Sequence, residues 1–182
     1  MVGLHAPPWQ VKPLILLAVV LSCVAVAAST MPSEDRYFVI NLTASVPVGF
    51  YVRSAAPPRR GDFVLVRLPM HLHELPARRG YVPFNRLLLK IVAASTGDVI
   101  CRLGARVWAG GHSRVWALRT DALGRPLPNW RGCRRLRANE LFVLGTHSGS
   151  FDSRYFGPIN RQSVLTAVRP ILECRLCDRS EK

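Results

Sequence analysis

The chain has 182 residues, 49% of them hydrophobic, and carries 25 Lys and Arg against 11 Asp and Glu, a formal charge of +14. That length leaves room for one membrane segment and one domain of roughly 140–150 residues. The excess charge is nearly all arginine, but no zinc-finger spacing, RNP-type aromatic motif or recognition helix accompanies it. It therefore points away from nucleic acid and toward an anionic membrane surface or an acidic partner.

The first element is the uncharged run Leu14–Ala28, with Lys12 before it and Glu34 and Asp35 after it. With Pro13 and Ser29–Met31 it reaches the minimum of about 17 residues for a span. Its flanking charges place the N-terminus in the cytoplasm and the rest of the chain outside. Two readings fit: an uncleaved anchor, or a signal peptide cut after Ala25-Val26-Ala27. The anchor is carried forward, with residues 1–30 as the membrane segment and 31–182 as an extracytoplasmic domain. Cys23 follows Leu21-Ser22, a poor match to a lipid-attachment motif.

Beyond the anchor the pattern is mainly β. Short runs of Val, Ile, Leu and aromatic residues alternate with Gly, Pro and Asn. Strands are expected at Gly49–Arg53, Asp62–Leu68, Leu87–Ala94, Val99–Leu103, Ala105–Ala109, Val115–Leu118, Leu141–Gly145 and Val164–Val168. Gly110-Gly111 suggests a hairpin between two of them. A short helix fits Met70–Leu75, while Ala55–Arg60 and Thr120–Arg135 read as surface loops. Regular short strands imply a barrel or sandwich.

Cysteine usage suits an oxidising compartment. Cys101 and Cys133 could close a loop of about 30 residues, worth roughly 3–4 kcal/mol by chain entropy. Cys174-x-x-Cys177 lacks the second pair of a zinc site and reads as a local pair or free thiols. The histidines (His5, His71, His73, His112, His147) form no metal-ligand grouping, and no metal or other cofactor is implied. Trp108 and Trp116 read as core or interface residues.

The informative anomaly is Lys90, inside Leu87-Leu88-Leu89-Lys90-Ile91-Val92-Ala93-Ala94. Burial favours a neutral amine, and a neutral amine can take a proton from a hydroxyl. A candidate hydroxyl is Ser45, in a stretch that Pro47 and Gly49 bend. On the residues alone, bland readings stand beside these. Lys90 also fits a lysine snorkelling from a sheet edge or pairing with Asp98. Ser45 also fits a turn residue, and Asp152 with Arg154 a surface ion pair.

Three segments in order alter that balance: T-A-S-V-P-V-G-F-Y from Thr43, L-L-K-I-V-A-A-S-T-G-D around Lys90, and G-S-F-D-S-R-Y-F-G from Gly149. Together, behind one apolar segment, they resemble the type I signal peptidases, membrane-bound proteases with a Ser/Lys dyad. The N-x-T-x-S-x-P-x-G-x-Y form from Asn41 and the small size are most similar to the TraF-type peptidases of conjugative transfer. The resemblance runs from about Asn41 to Ile171, with Ala105–Asn139 matching loosely.

The resemblance implies a signal-peptidase-like β-barrel or sandwich behind one transmembrane helix. It makes Ser45 the nucleophile and Lys90 the general base. The Ser45 N–H and the Thr43 hydroxyl form the oxyanion hole, Asp152 acquires catalytic importance, and Arg154 supports it. It also implies a bacterial inner-membrane protein with its domain in the periplasm. Its expected partners are a membrane-anchored pilin precursor, or another signal-bearing protein, and the anionic lipid surface. An acyl-enzyme would be resolved by water or by the pilin's own amine, giving a cyclic product. A general signal peptidase and a non-catalytic pilus-assembly factor are the alternative functions.

Overall fold

The computed structural model describes residues 8–30, 38–83, 85–111 and 113–174, with α1 side chains at Pro13 and Ile15–Val26. His5, His112 and Cys177 lie outside the described residues. The chain divides into two units, Met1–Arg36 and Tyr37–Lys182.

The first unit holds α1, Pro8–Thr30. Its apolar side chains are spread around the whole circumference, and Ile15 to Val26 are exposed. Ser22 donates its hydroxyl to Ala18 O at 2.8 Å, the i−4 back-bond by which a helix satisfies its own hydroxyls. Among the described residues no helix is long and apolar enough to cross a membrane.

In the second unit, the apolar run containing Lys90 forms β4, Leu87–Ala94, as expected. It pairs antiparallel with β3, Phe63–Arg67, on one side and β9, Glu140–Leu144, on the other. A central strand covered on both faces tolerates a continuous apolar run in place of alternation. Around it the order is β1-β2-β11-β3-β4-β9-β10, with β1 Phe38–Asn41, β2 Gly49–Ser54, β10 Ile159–Asn160 and β11 Val164–Glu173. Register shifts at Val92/Ala94, Val164/Thr166 and Pro170/Leu172 interrupt the ladder. Bulges of this kind increase twist and curl the sheet. The fold is mainly β, as expected.

A second sheet has the order β7-β6-β5-β8, with β5 Val99–Leu103, β6 Arg106–Ala109, β7 Ser113–Trp116 and β8 Gly132–Arg135. Gly110 and Gly111 turn between β6 and β7 at φ of 62° and 74°, which L side chains rarely adopt. Cys101 on β5 lies opposite Cys133 on β8, and the two are disulfide-bonded. Cys174 is also disulfide-bonded. The main core cluster joins both sheets, Leu88, Ala93 and Phe142 from one meeting Ile100 and Val107 from the other.

Some expectations need correction. Thr120–Arg135 is not all loop, because its last four residues form β8. Every β8 residue is exposed, so no apolar pattern marks it, and its strand character comes from pairing with β5. The helix expected at Met70–Leu75 is α2, Met70–Arg78, and runs past Pro76. His71 and His73 sit on it two residues apart, a spacing that does not share a helix face. Of the core and interface alternatives for Trp116, its 63% exposure removes the core one.

The disulfide tethers the edge strand β8 across 32 residues. Replacing both partners, Cys101→Ala with Cys133→Ala, is expected to lower stability by about 3–4 kcal/mol. Urea unfolding of the two proteins followed by tryptophan fluorescence measures it.

Candidate active site

β1 ends at Asn41, which is 6% exposed, and the chain then bends around that side chain. Asn41 Nδ2 donates to the carbonyls of Thr43, Val46 and Pro47 at 2.8, 2.9 and 3.0 Å. Its Oδ1 accepts from Thr43 N at 3.3 Å and Thr43 Oγ1 at 2.9 Å. Tyr51, fully buried on β2, donates its hydroxyl to Pro47 O at 2.6 Å. Burial, then the charge of Glu173, pushes the Tyr51 phenol up to about 12, so it stays a donor at neutral pH. These two side chains give the segment around Ser45 its shape. Both lay in the N-x-T-x-S-x-P-x-G-x-Y stretch without a role read from sequence. The signal was a polar side chain at each end of a Pro-containing bend.

Ser45 is half-buried at the top of the bend. Its Oγ lies 3.1 Å from Thr43 Oγ1. Because Thr43 spends its one hydroxyl proton on Asn41, the Ser45 hydroxyl is the donor in that contact. Ser45 O accepts from Thr146 N at 2.8 Å, which ties the bend to the segment after β9.

Lys90 lies at the middle of β4 and is 2% exposed. It is neither a snorkelling edge lysine nor a partner of Asp98, whose carboxylate pairs with Arg60. Its Nζ donates to Ser150 Oγ at 2.8 Å. Burial lowers its pKa from 10.5 to about 8, with Asp152 pulling it up and Arg154 pushing it down. Ser150, 6% exposed, is the polar partner that sequence reading missed. Sixty residues separate it from Lys90, and one serine among His147-Ser148-Gly149-Ser150 has no distinguishing pattern.

Gly145 joins the two arms. A Cβ there would lie 2.1 Å from Ser150 Oγ and 2.5 Å from Ser45 O, so only glycine fits between them. The Lys90–Ser150 pair and the Ser45 bend thus meet across one residue. No hydrogen bond links Lys90 to Ser45 itself in this arrangement, where each side chain has another partner.

Asp152 and Arg154 are buried at 0% and 3% exposure, so they are not a surface pair. Arg154 Nε and Nη2 grip the carboxylate from two sides at 2.8 and 2.7 Å. Asp152 also accepts from Arg154 N at 3.0 Å, capping α3 (Ser153–Phe156), and from Gly145 N at 2.7 Å. Arg154 spends its remaining protons on the carbonyls of Trp116, His147, Ser148 and Ser150 at 3.3, 2.8, 3.0 and 3.3 Å. The pair therefore shapes the loop that carries Ser150. Asp152 bears on Lys90 through charge and through that loop, with no direct hydrogen bond. Among the described residues no cluster of His, Cys, Asp and Glu could hold a metal ion.

Two stability measurements follow. Asp152→Asn leaves a buried guanidinium uncompensated and is expected to cost about 3–5 kcal/mol, read by denaturant unfolding. For Lys90 the folded pKa, about 8, lies below the unfolded value. The unfolded chain binds the extra proton between those values, so stability rises with pH from about 8 to above 10. Relative to Lys90→Met, the gain should be about 3 kcal/mol across that window. Flat behaviour of the difference would mean Lys90 is solvated.

The family profile described as signal peptidase, peptidase S26, matches residues 9–172. The plasmid transfer protein TraF of Escherichia coli is 33% identical over 144 residues, covering 73% of this chain and 81% of that protein. The probable conjugal transfer protein TraF of Sinorhizobium fredii is 33% identical over 173 residues, covering 88% of this chain and 90% of its own. A signal peptidase I crystal structure from Enterococcus faecalis aligns at TM-score 0.37 and 17% identity, over 64% of this chain and 100% of that one. By the extent of the profile match and the identity to these relatives, the chain belongs to the signal peptidase family, peptidase S26.

Proposed function

We propose that the protein is a membrane-anchored serine endopeptidase of a conjugative transfer system that matures a pilin precursor. The observation that carries this reading is Lys90. A lysine 2% exposed with a pKa near 8 can be neutral at working pH, and its partner Ser150 meets the Ser45 bend across Gly145. The similarity to two TraF proteins, named for plasmid and conjugal transfer, supplies the biological setting.

In the proposed cycle Ser45 Oγ turns from Thr43 toward Lys90. Neutral Lys90 takes the hydroxyl proton as the oxygen attacks the scissile carbonyl carbon. The Ser45 N–H and the Thr43 hydroxyl stabilise the resulting oxyanion, for which Thr43 must release Asn41. Collapse breaks the C–N bond, and Lys90 returns its proton to the leaving amine. The acyl-Ser45 ester is then attacked by water, or by the pilin's own N-terminal amine to give a cyclic chain. Ser150 orients the Lys90 amine, while Asp152 and Arg154 hold the loop that presents Ser150.

The anchor reading rests on the sequence: Pro13–Thr30 carries no charged residue. Eighteen residues wound as a helix would span about 27 Å, just under the hydrocarbon thickness of about 30 Å, so the anchor stands on this uncharged run and not on α1 as described. About 16 residues then lead to Ser45, a reach of at most about 55 Å, which keeps the nucleophile near the bilayer. A precursor anchored in the same membrane gains effective concentration. The Cys101–Cys133 disulfide supports an oxidising compartment, here the periplasm behind the bacterial inner membrane. The arginine excess would be attracted to anionic headgroups.

Maturation of a co-expressed pilin tests the reading. Ser45→Ala and Lys90→Ala, each with unchanged thermal unfolding, are expected to lose on the order of 10³-fold or more in rate. Normal maturation in either would overturn the dyad. The wild-type kcat/KM should rise with pH through about 8 and then level off, as Lys90 loses its proton. Thr43→Val is expected to cost about 10²–10³-fold in kcat. Mass spectrometry of the product separates the two outcomes: a mature pilin lighter by one water than its linear form is cyclic.

A further inference from the structure

A cavity of about 410 Å³ lies between β5 and the segment 118–131, lined by Arg102, Arg119 and Arg131 together with Asn129, Trp130 and Leu127. Three arginines line one space, and among the described residues no Asp or Glu lines it. Arg102 is 5% exposed, and among the described residues it makes no ion pair. Its Nε donates to Gly104 O at 3.1 Å and its Nη1 to Arg154 O, leaving Nη2 without a protein acceptor among the described residues. A buried guanidinium without a counter-ion is costly. The most deeply buried arginine besides it, Arg154, has Asp152 as its acid, and Arg125 has Asp121. Arg119 and Arg131, exposed at the cavity mouth, have no acid partner among the described residues either.

We propose that this cavity is a phosphate-binding site, taking a phosphate mono- or diester through Arg102, Arg119 and Arg131. A phosphate offers enough charge and enough oxygens to engage several guanidinium forks at once, and arginine suits it geometrically. Asn129 adds an amide donor. Leu127 and the Trp130 ring supply an apolar wall for whatever carries the ester. Trp130 donates its indole N–H to Ser153 O at 3.0 Å, and Arg102 donates to Arg154 O. Two lining residues therefore bond to the backbone at Ser153 and Arg154, beside Asp152. The ester could come from a lipid headgroup or from a free phosphate; the recognition chemistry is the same. This inference does not depend on the peptidase reading, since it is tested by binding and not by cleavage.

The full chain in zwitterionic detergent is titrated with inorganic phosphate at constant ionic strength, chloride replacing phosphate, and followed by calorimetry. Saturable binding is expected. The exposed pair Arg119→Ala with Arg131→Ala should weaken it roughly tenfold or more. Arg106→Ala with Arg114→Ala removes the same charge from the β6–β7 hairpin and should leave it unchanged. Equal weakening in both double variants would reduce the effect to net charge and overturn the site, as would the absence of saturable binding. Phosphatidylglycerol vesicles, with phosphatidylcholine vesicles as the control, are then added as competitors. Competition by the anionic vesicles alone supports the site with a lipid source. Phosphate binding without such competition supports it with a free phosphate.

Discussion

The buried ion pair of Asp152 and Arg154 is the constraint on which the rest of the site depends. Two charges held at 0% and 3% exposure are tolerable only when nearly every proton and lone pair is used. Here Arg154 meets the carboxylate twice and four main-chain carbonyls besides, and Asp152 accepts two main-chain N–H groups. Those carbonyls and amides belong to β7, to the turn after β9, to the loop 147–150 and to the first turn of α3. One pair thus joins the second sheet to the first and fixes where Ser150 stands. A neutral pair of the same shape could be equally stable, but it could not organise so many backbone groups from two side chains.

Lys90 is treated in the opposite way. Its ammonium has no carboxylate in contact, and Ser150 is its hydrogen-bond partner. Asp152 lies close enough to raise its pKa, yet its lone pairs are occupied by Arg154 and Gly145. Desolvation therefore prevails over the nearby negative charge. The same pair that shapes the loop keeps the acid from neutralising the lysine. The Ser45 bend is built around Asn41 and Tyr51; it meets the lysine arm at Gly145 and through the packing of Val46 and Tyr51 on Leu89 of β4.

Legibility in the sequence followed the source of each element's order. β4 and β5 were read at their observed ends because apolar runs bounded by turn residues carry their own pattern. β8 was not, because Gly132-Cys133-Arg134-Arg135 is wholly exposed and becomes a strand through β5 and its disulfide. β1 was missed for a related reason: it is four residues long, and its outward Phe38 and Ile40 offer no inward alternation. The bland reading of Asp152 and Arg154 as a surface pair failed because burial of a short charged segment has no local signature.

The sequence by itself determined that a lysine would sit within an apolar strand, and that a serine would come just before a bend set by proline and glycine. Apolar patterning and turn chemistry are local, and they act over a few residues. Only the tertiary structure decided what Lys90 would touch. Its partner Ser150 is sixty residues away and is delivered by the loop that Arg154 holds. The depressed lysine pKa, the glycine between the two arms and the unpaired Arg102 are all products of distant segments packing together. Each arises from the cost of leaving a polar group in the interior, and that cost exists only once there is an interior.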